Sequence, residues 1–381
     1  MVPDSLSLPL PEPSPPPAAA SRPPERPAAS KRGSRTRRRA PGRIQGDLFS
    51  FPRRPVAQPH AAAPASDPEP DEAPAVVLEN LKSAPTAELI ARLVALLDDD
   101  RPAMAAFVAL AEALGGRGER AATAPLLRLA HRFAGFDRDA GAPEMRAALA
   151  ALAQLNDPAC ASAVTDLATL DALSSESLAL ALACLATLRH RPAAPLARQH
   201  LTHEAPAVRA AACELAARLR LRASGPALEA LLTDPAPGVA AAATLALGSL
   251  GLPAGRAPLE TWLSTAAPVD LPRVVRALAP VADADTAVLL GRAAERADLD
   301  GRLAVVAALG DLGGRAAVTW LCRLARDRKP AVRGAVAEAL EKCADTSAAP
   351  VLQELAADDD PTVADAAEQT LQALAEQATE W

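Results

Sequence analysis

Residues 206–212 read PAVRAAA: a proline is followed two residues later by an aliphatic residue, which opens an alanine-rich segment. The same arrangement recurs along the chain, and most neighbouring copies lie roughly 30 residues apart, so each period is one supersecondary unit stacked on its neighbours. The other copies are Pro102-Met104, Pro143-Met145, Pro237-Val239, Pro272-Val274, Pro330-Val332 and Pro361-Val363. We call the aliphatic residue of each copy its anchor. Two further repeats lack the proline, and their predicted anchors are Leu178 and Leu303.

Each period predicts two helices, of which the second begins at the proline, because a missing N–H is harmless in the first helical turn. An acidic residue such as Asp234 often precedes the proline, where it can cap the helix. We expect about 18 helices and no sheet between Thr86 and Gln377. The prolines that open second helices are Pro102, Pro143, Pro206, Pro237, Pro330 and Pro361. The glycines that suit helix C-caps are Gly115, Gly248, Gly251, Gly310, Gly313 and Gly314.

Segments 206–212 and 304–313 (AVVAALGDLG) resemble HEAT repeats, in the short form also found in the phycobilisome-lyase family. The resemblance spans residues 85–377. It implies an all-α, armadillo-like, right-handed α-solenoid of about nine helical hairpins over residues 85–381. In that family the Asp before the proline and the Arg after the valine commonly form a ladder of ion pairs between repeats. Arg146, Arg209 and Arg333 match the arginine position, and a structural ion pair is the favoured interpretation over ligand binding.

Residues 1–84 differ in composition, being rich in Pro, Ala, Ser and Arg, and predict a disordered arm because they cannot form a core. The first 80 residues hold 11 Lys/Arg against 9 Asp/Glu. A basic run could bind phosphates, anionic lipid or an acidic protein face, or could simply be a solubilising tail. Its members are Lys31, Arg32, Arg35, Arg37, Arg38 and Arg39.

Two groups of bulky side chains are candidate partner-binding residues. Leu48, Phe49 and Phe51 form an apolar cluster within the arm, which is either an interaction motif or a chance grouping. Trp262 and Trp320 each stand in a Thr-Trp-Leu triplet two repeats apart. They are either hot spots for a partner or residues that pack against a neighbouring repeat.

The sequence predicts no catalytic residue, metal ligand or cofactor. His200 and His203 lie three residues apart and Glu204 follows, but this order is neither of the zinc-protease motifs. HEAT-fold hydroxylases that bind iron repeat His-Glu pairs, whereas this sequence has the single pair His203-Glu204. It also has no phosphate-binding loop and no G-x-S-x-G motif.

The sequence therefore favours a non-catalytic scaffold that binds protein partners through the array and the arm. Two alternatives remain: an enzyme or accessory resembling bilin lyases, and a nucleic-acid-associated protein that binds through the basic arm.

The five cysteines form no C-x-x-C pair and are interpreted as reduced core residues of a cytoplasmic protein. Neither a secretory signal nor a transmembrane span is predicted. The polar residues expected on the binding face are Arg146, Arg209, Arg273, Arg276, Glu338, Glu368 and Gln372.

Overall fold

A computed structural model describes residues 81, 83–99, 102–170, 173–343 and 346–379. Within these residues there are 18 α-helices and no strand, which confirms the predicted all-α fold. The predictions for the basic run and for Leu48, Phe49 and Phe51 lie outside the described residues.

The helices are α1 (Thr86–Asp98), α2 (Met104–Arg117), α3 (Thr123–Ala140), α4 (Pro143–Leu155), α5 (Ala161–Thr169), α6 (Ser175–Thr187), α7 (Ala194–His200), α8 (Pro206–Arg218), α9 (Gly225–Ala230), α10 (Pro237–Ser249), α11 (Arg256–Thr265), α12 (Leu271–Leu278), α13 (Ala284–Arg296), α14 (Leu299–Leu312), α15 (Gly314–Leu324), α16 (Pro330–Cys343), α17 (Ala349–Ala356) and α18 (Pro361–Thr379).

The helices pair as nine hairpins, in which each odd-numbered helix is the first and each even-numbered helix the second. Every second helix contacts the second helix of the next hairpin, from α2 against α4 through to α16 against α18. One amphipathic hairpin cannot bury its apolar face alone, so this stacking supplies the core that each repeat lacks. None of the described helices is both long enough and apolar enough to cross a membrane.

Most of the prolines lie where the sequence predicts. Pro143, Pro206, Pro237, Pro330 and Pro361 are each the first residue of a second helix. The prediction for Pro102 is wrong, because α2 begins two residues later, at Met104. Met104 is also 45% exposed, and Ala106 and Phe107 are the buried side chains of that turn. Proline is tolerated in the first turn without being required there, so apolar packing sets the register of α2.

The two repeats without a proline are also out of register with the predicted anchors. In α8 the buried anchor Val208 is the third residue, and in α6 and α14 the third residues are Ser177 and Gly301, which are buried. The predicted anchors Leu178 and Leu303 therefore lie one and two positions too far along. Without a proline to mark the helix start, the nearest aliphatic residue does not identify the buried third position of the helix.

Three of the six predicted C-cap glycines have a different role. Gly251 and Gly313 have positive φ and follow helices, as a C-terminal glycine does, and Gly314, also with positive φ, begins α15 directly after them. Gly115, Gly248 and Gly310 instead lie inside α2, α10 and α14, where each faces an alanine of the next second helix. The facing residues are Ala151, Ala277 and Ala339. These three glycines therefore mark places where stacked helices approach too closely for a side chain.

The core is built mainly from leucine, alanine and valine. Its buried side chains form two clusters, one from Ala84 to Leu250 and the other from Leu259 to Leu374, which meet where α10 packs against α11 and α12. Cys160, Cys184 and Cys213 are buried in the first cluster, whereas Cys322 and Cys343 are half-buried. Within the described residues no disulfide joins any of the five cysteines.

Candidate partner-binding surface

A ladder of ion pairs connects neighbouring hairpins at the start of the second helices. Arg209, the fourth residue of α8, donates two hydrogen bonds to Asp234, from Nε to Oδ2 at 2.8 Å and from Nη2 to Oδ1 at 2.8 Å. Its Nη1 also donates to the carbonyl oxygens of His203 and Glu204. Only 12% of the Arg209 side chain and 5% of the Asp234 side chain are exposed. Arg209 is therefore a packing element between repeats and does not line a binding face.

The same geometry recurs further along the array. Arg333 donates from Nε and Nη2 to Asp358 at 2.6 and 2.7 Å. Arg302 lies at the equivalent fourth position of α14, with its Nε 3.2 Å from Asp327 Oδ2 in an ion pair, although this Nε makes no hydrogen bond. Arg146, at the same position of α4, bonds instead to Glu176 in the first turn of α6, and both side chains are half-exposed.

We expect this ladder to make stability depend on pH in the acid range. Hydrogen bonds from Arg333 lower the pKa of Asp358, and those from Arg209 lower the pKa of Asp234. The folded carboxyl groups therefore hold their protons less tightly than in the unfolded chain, where the pKa of Asp is about 3.9. Their stabilisation is complete above about pH 4 and is lost as the pH falls through the lowered pKa values.

Urea unfolding between about pH 7 and pH 2.5 measures this dependence. The free energy of unfolding should decline below about pH 4, and the difference between wild type and Asp358→Asn should shrink over the same range. A difference that stayed constant down to the lowest pH would show that the Asp358 carboxylate does not contribute in this way.

Both tryptophans lie on first helices, half-buried at the edge of the second core cluster. The guanidinium of Arg273 lies 5.0 Å from the ring centre of Trp262, and that of Arg323 lies 4.6 Å from the ring centre of Trp320. The Trp320 ring also packs on Gly291 of α13, where an added Cβ would lie 2.0 Å from Cδ2. Each tryptophan thus packs locally, and part of its surface remains exposed beside an arginine.

Beside Trp320 lies a surface cavity of about 480 Å³, which we call the basic groove. Asp327 is the one acidic side chain in its lining, and that carboxylate already faces Arg302. Positive charge therefore exceeds negative charge in the groove. It is lined by Arg302, Arg323, Leu324, Arg326, Asp327, Arg328 and Lys329.

The basic groove is not among the sites predicted from the sequence. The signal in the sequence is the segment RLARDRK, residues 323–329, which holds one basic residue at the end of α15 and three in the loop between α15 and α16. Arg323 belongs both to this groove and to the stacked pair with Trp320, so the tryptophan and the groove form one continuous surface.

The histidines lie elsewhere in the array. His200 and His203 stand side by side, with ring centres 5.7 Å apart, whereas His190 precedes the turn that leads into α7. Among the described residues, no group of three or more His, Cys, Asp or Glu side chains is placed to hold a metal ion.

Several solved structures are similar to this chain at low sequence identity. One is an engineered protein, with 19% identity, a TM-score of 0.48 and coverage of 80% of this chain and 94% of that chain. Another is the complex of CpcE and CpcF of phycocyanin lyase from Nostoc sp., with 17% identity, a TM-score of 0.40 and coverage of 84% and 99%. Human deoxyhypusine hydroxylase in complex with glycerol has 22% identity, a TM-score of 0.30 and coverage of 76% and 97%.

Comparison by sequence is more specific about the family. No curated protein matches the chain at a significant level. A family model described as HEAT repeats, however, matches residues 167–248, 194–279 and 286–372, which together make up more than half of the chain. The match coincides with the hairpins from α6 to α18, including the ladder positions Arg209, Arg302 and Arg333. The chain belongs to the HEAT-repeat family.

Proposed function

We propose that this protein is a non-catalytic scaffold, and that its array binds an acidic segment of a partner protein at the basic groove and Trp320. The observation that carries the proposal is the excess of positive charge in the groove, next to a partly exposed tryptophan. Tryptophan and arginine are the residue types that most often dominate the binding energy of protein interfaces.

The charge of the basic groove is opposite to that of the surrounding array. Residues 81–381 hold 29 Lys/Arg against 37 Asp/Glu, so the groove is a positively charged surface on an array with a net negative charge. Arg328 and Lys329 are exposed and have no ion pair among the described residues, whereas Arg326 lies 3.5 Å from Glu354 in an exposed pair. Exposed cations attract a segment of opposite charge, and the guanidinium groups can bind its carboxylates in bidentate fashion.

A protein segment fits this surface better than a nucleic acid does. The loop of the next hairpin carries Asp359 and Asp360 beyond the paired carboxylates of Glu354 and Asp358, so negative charge lies on the adjacent repeat. A phosphate backbone that extended past the groove would meet this repulsion, whereas a short acidic peptide with an apolar residue for Trp320 would not. The bilin-lyase-like alternative and the arm-based nucleic-acid alternative remain predictions from sequence.

The test uses a fluorescent peptide of alternating glutamate and leucine as the probe, with binding measured by anisotropy. The double variant Arg328→Gln/Lys329→Gln should weaken binding by roughly three- to tenfold, because two exposed charge partners are removed. Added salt should weaken wild-type binding in the same direction.

The matched control is Arg191→Gln/Arg198→Gln, which removes two exposed charges from a different hairpin and should leave peptide affinity unchanged. Equal losses in the two double variants would show that only net charge matters and would remove the groove from the proposal. Tighter binding of a short DNA duplex than of the peptide, lost in the same groove variant, would replace the peptide with a nucleic acid.

A further inference from the structure

The basic groove lies next to a hairpin whose loop region is acidic. Where α13 ends and α14 begins, Glu295, Asp298 and Asp300 are all exposed. Arg296 lies in the same region, but its guanidinium donates to two carbonyl oxygens at the C-terminal end of α11, so it is directed toward the preceding hairpin. That arginine therefore does not offset the negative charge on this side of the groove.

The hairpin on the other side of the groove is acidic as well. In the loop between α17 and α18, Asp359 is exposed and has no ion pair in the part of the chain that the structure describes, and Asp360 is half-buried beside it. Packed neighbouring helices lie roughly 10 Å apart, so the acidic repeats on both sides confine the positive charge to a width of about one repeat.

Within this width the groove concentrates several cations around one cavity. The Arg302 side chain is already paired with Asp327, so these two charges offset each other. Arg323 is held in place by Trp320, since its guanidinium lies 4.6 Å from the ring centre. A cation whose position is already fixed loses less conformational freedom when a ligand binds. The four cations beyond the Arg302 pair are Arg323, Arg326, Arg328 and Lys329.

So narrow a patch of positive charge favours a ligand whose negative charge is concentrated in one group. An extended peptide rises about 3.3 Å per residue and alternates its side chains, so no more than about two of its carboxylates can face a patch of this width. Any further carboxylate would lie against the acidic loops on either side. A phosphorylated side chain carries a charge of about −1.5 to −2 at pH 7 and three acceptor oxygens in a single group, and guanidinium groups bind such oxygens in pairs.

We propose that the acidic segment bound at the basic groove carries a phosphoserine or phosphothreonine. Its phosphoryl group accepts hydrogen bonds from Arg323, Arg328 and Lys329, and a neighbouring apolar residue packs on the exposed part of Trp320. This inference rests on the proposed function, because it names the charged group that the partner segment presents to the groove. A membrane with phosphate headgroups is an extended negative surface, which the acidic loops on both sides would repel.

Anisotropy with three labelled peptides and the full-length protein tests this proposal. The peptides share the sequence Gly-Leu-X-Leu-Gly, in which X is phosphoserine, glutamate or serine. We expect the phosphoserine peptide to bind at least roughly tenfold more tightly than the serine peptide and roughly threefold more tightly than the glutamate peptide, because it brings more charge and more acceptors to the groove.

The pH dependence of binding separates the phosphoryl group from a carboxylate. The second proton of a phosphorylated side chain dissociates with a pKa of about 6, so affinity for the phosphoserine peptide should fall by about threefold or more from pH 7.5 to pH 5.5. The glutamate peptide should change little over this range, since the pKa of its carboxyl group is about 4.3. No histidine lines the groove, and histidine is the side chain that ordinarily changes charge at these pH values.

Two double variants connect binding to the groove and to its acidic surroundings. Arg328→Gln/Lys329→Gln should weaken the phosphoserine peptide by at least roughly tenfold and remove most of its advantage over the glutamate peptide. Glu295→Gln/Asp359→Asn removes one exposed acid from each neighbouring hairpin. It should strengthen binding of the longer alternating glutamate and leucine peptide, which reaches those loops, more than binding of the short phosphoserine peptide. All four side chains are exposed, so the melting temperature should stay unchanged and serves as the control for folding.

The outcomes distinguish this proposal from the proposed function. If the glutamate peptide bound as tightly as the phosphoserine peptide while the groove variant weakened both, the phosphoryl group would be ruled out and the acidic-segment scaffold would stand. If the groove variant weakened neither peptide, both proposals would fall. Tighter binding to vesicles of phosphatidylcholine and phosphatidic acid than to the phosphoserine peptide would overturn the choice of a protein partner.

Discussion

Replacing Gly248 with alanine should destabilise the array by about 2 kcal/mol, although the same change in an open helix is stabilising. A Cβ at Gly248 would lie 2.4 Å from the backbone oxygen of Ala277 and 2.3 Å from Leu259 Cδ1. A side chain can rotate away from such a contact, but the carbonyl oxygen belongs to α12 and can move only with its helix. The two core clusters meet at this point, where α10 packs against α11 and α12. To make room for the added Cβ, α10 and α12 must therefore move apart.

Urea unfolding of Gly248→Ala and of Gly238→Ala measures this effect within one helix. An added Cβ at Gly238, near the start of α10, meets nothing within 4 Å, so this control should be neutral or stabilise by up to about 1 kcal/mol. The two substitutions are chemically identical, so opposite signs would isolate the helix contact. A stabilising effect at both positions would mean that α10 and α12 separate at little cost.

Replacing Arg333 with methionine should also destabilise the array by about 2 kcal/mol, because a carboxylate is left without its partner in a nearly buried position. The exposed fractions of the Arg333 and Asp358 side chains are 18% and 11%. Three hydrogen bonds are lost together with the charge, two to the Asp358 carboxylate and one to the carbonyl oxygen of Asp327. Methionine retains much of the aliphatic bulk of arginine, so the loss reports on the charged end of the side chain.

The matched control is Arg326→Met, in the same hairpin, whose partner Glu354 lies 3.5 Å away and whose side chain is 79% exposed. We expect this control to leave the urea midpoint almost unchanged, since exposed ion pairs contribute little. Adding Asp358→Asn to Arg333→Met should restore part of the loss, because the amide removes the unpaired charge and keeps an oxygen for the N–H of Asp360. If Arg333→Met cost no more than the control, the ladder would not stabilise the fold.

Repetition along the sequence was sufficient to determine the architecture. The proline and aliphatic periodicity predicted the number of hairpins, the starts of five second helices and the all-α class, because these features depend on local preferences summed over many repeats. The pairing of Arg209 and Arg333 with acids 25 residues ahead is the ladder that the resemblance to HEAT repeats implied.

Departures from the repeat could be resolved only by the tertiary structure. Periodicity alone does not show that Gly248 lies against the backbone of Ala277, because that contact depends on the distance between two helices. Likewise, the sequence predicted Leu178 as the anchor of α6, whereas the start of this helix places Ser177 at the position equivalent to Val208.

The basic groove illustrates the same physical limit. Its lining combines Arg302 of α14 with residues from the end of α15 and the loop before α16, so two neighbouring hairpins form it together. A residue's own helical face can be predicted from local sequence, whereas unfilled volume and unpaired polar atoms result from how side chains of separate repeats pack together. The sequence by itself thus determined the hairpins and their order, and the packing between hairpins decided where this protein has room for a ligand.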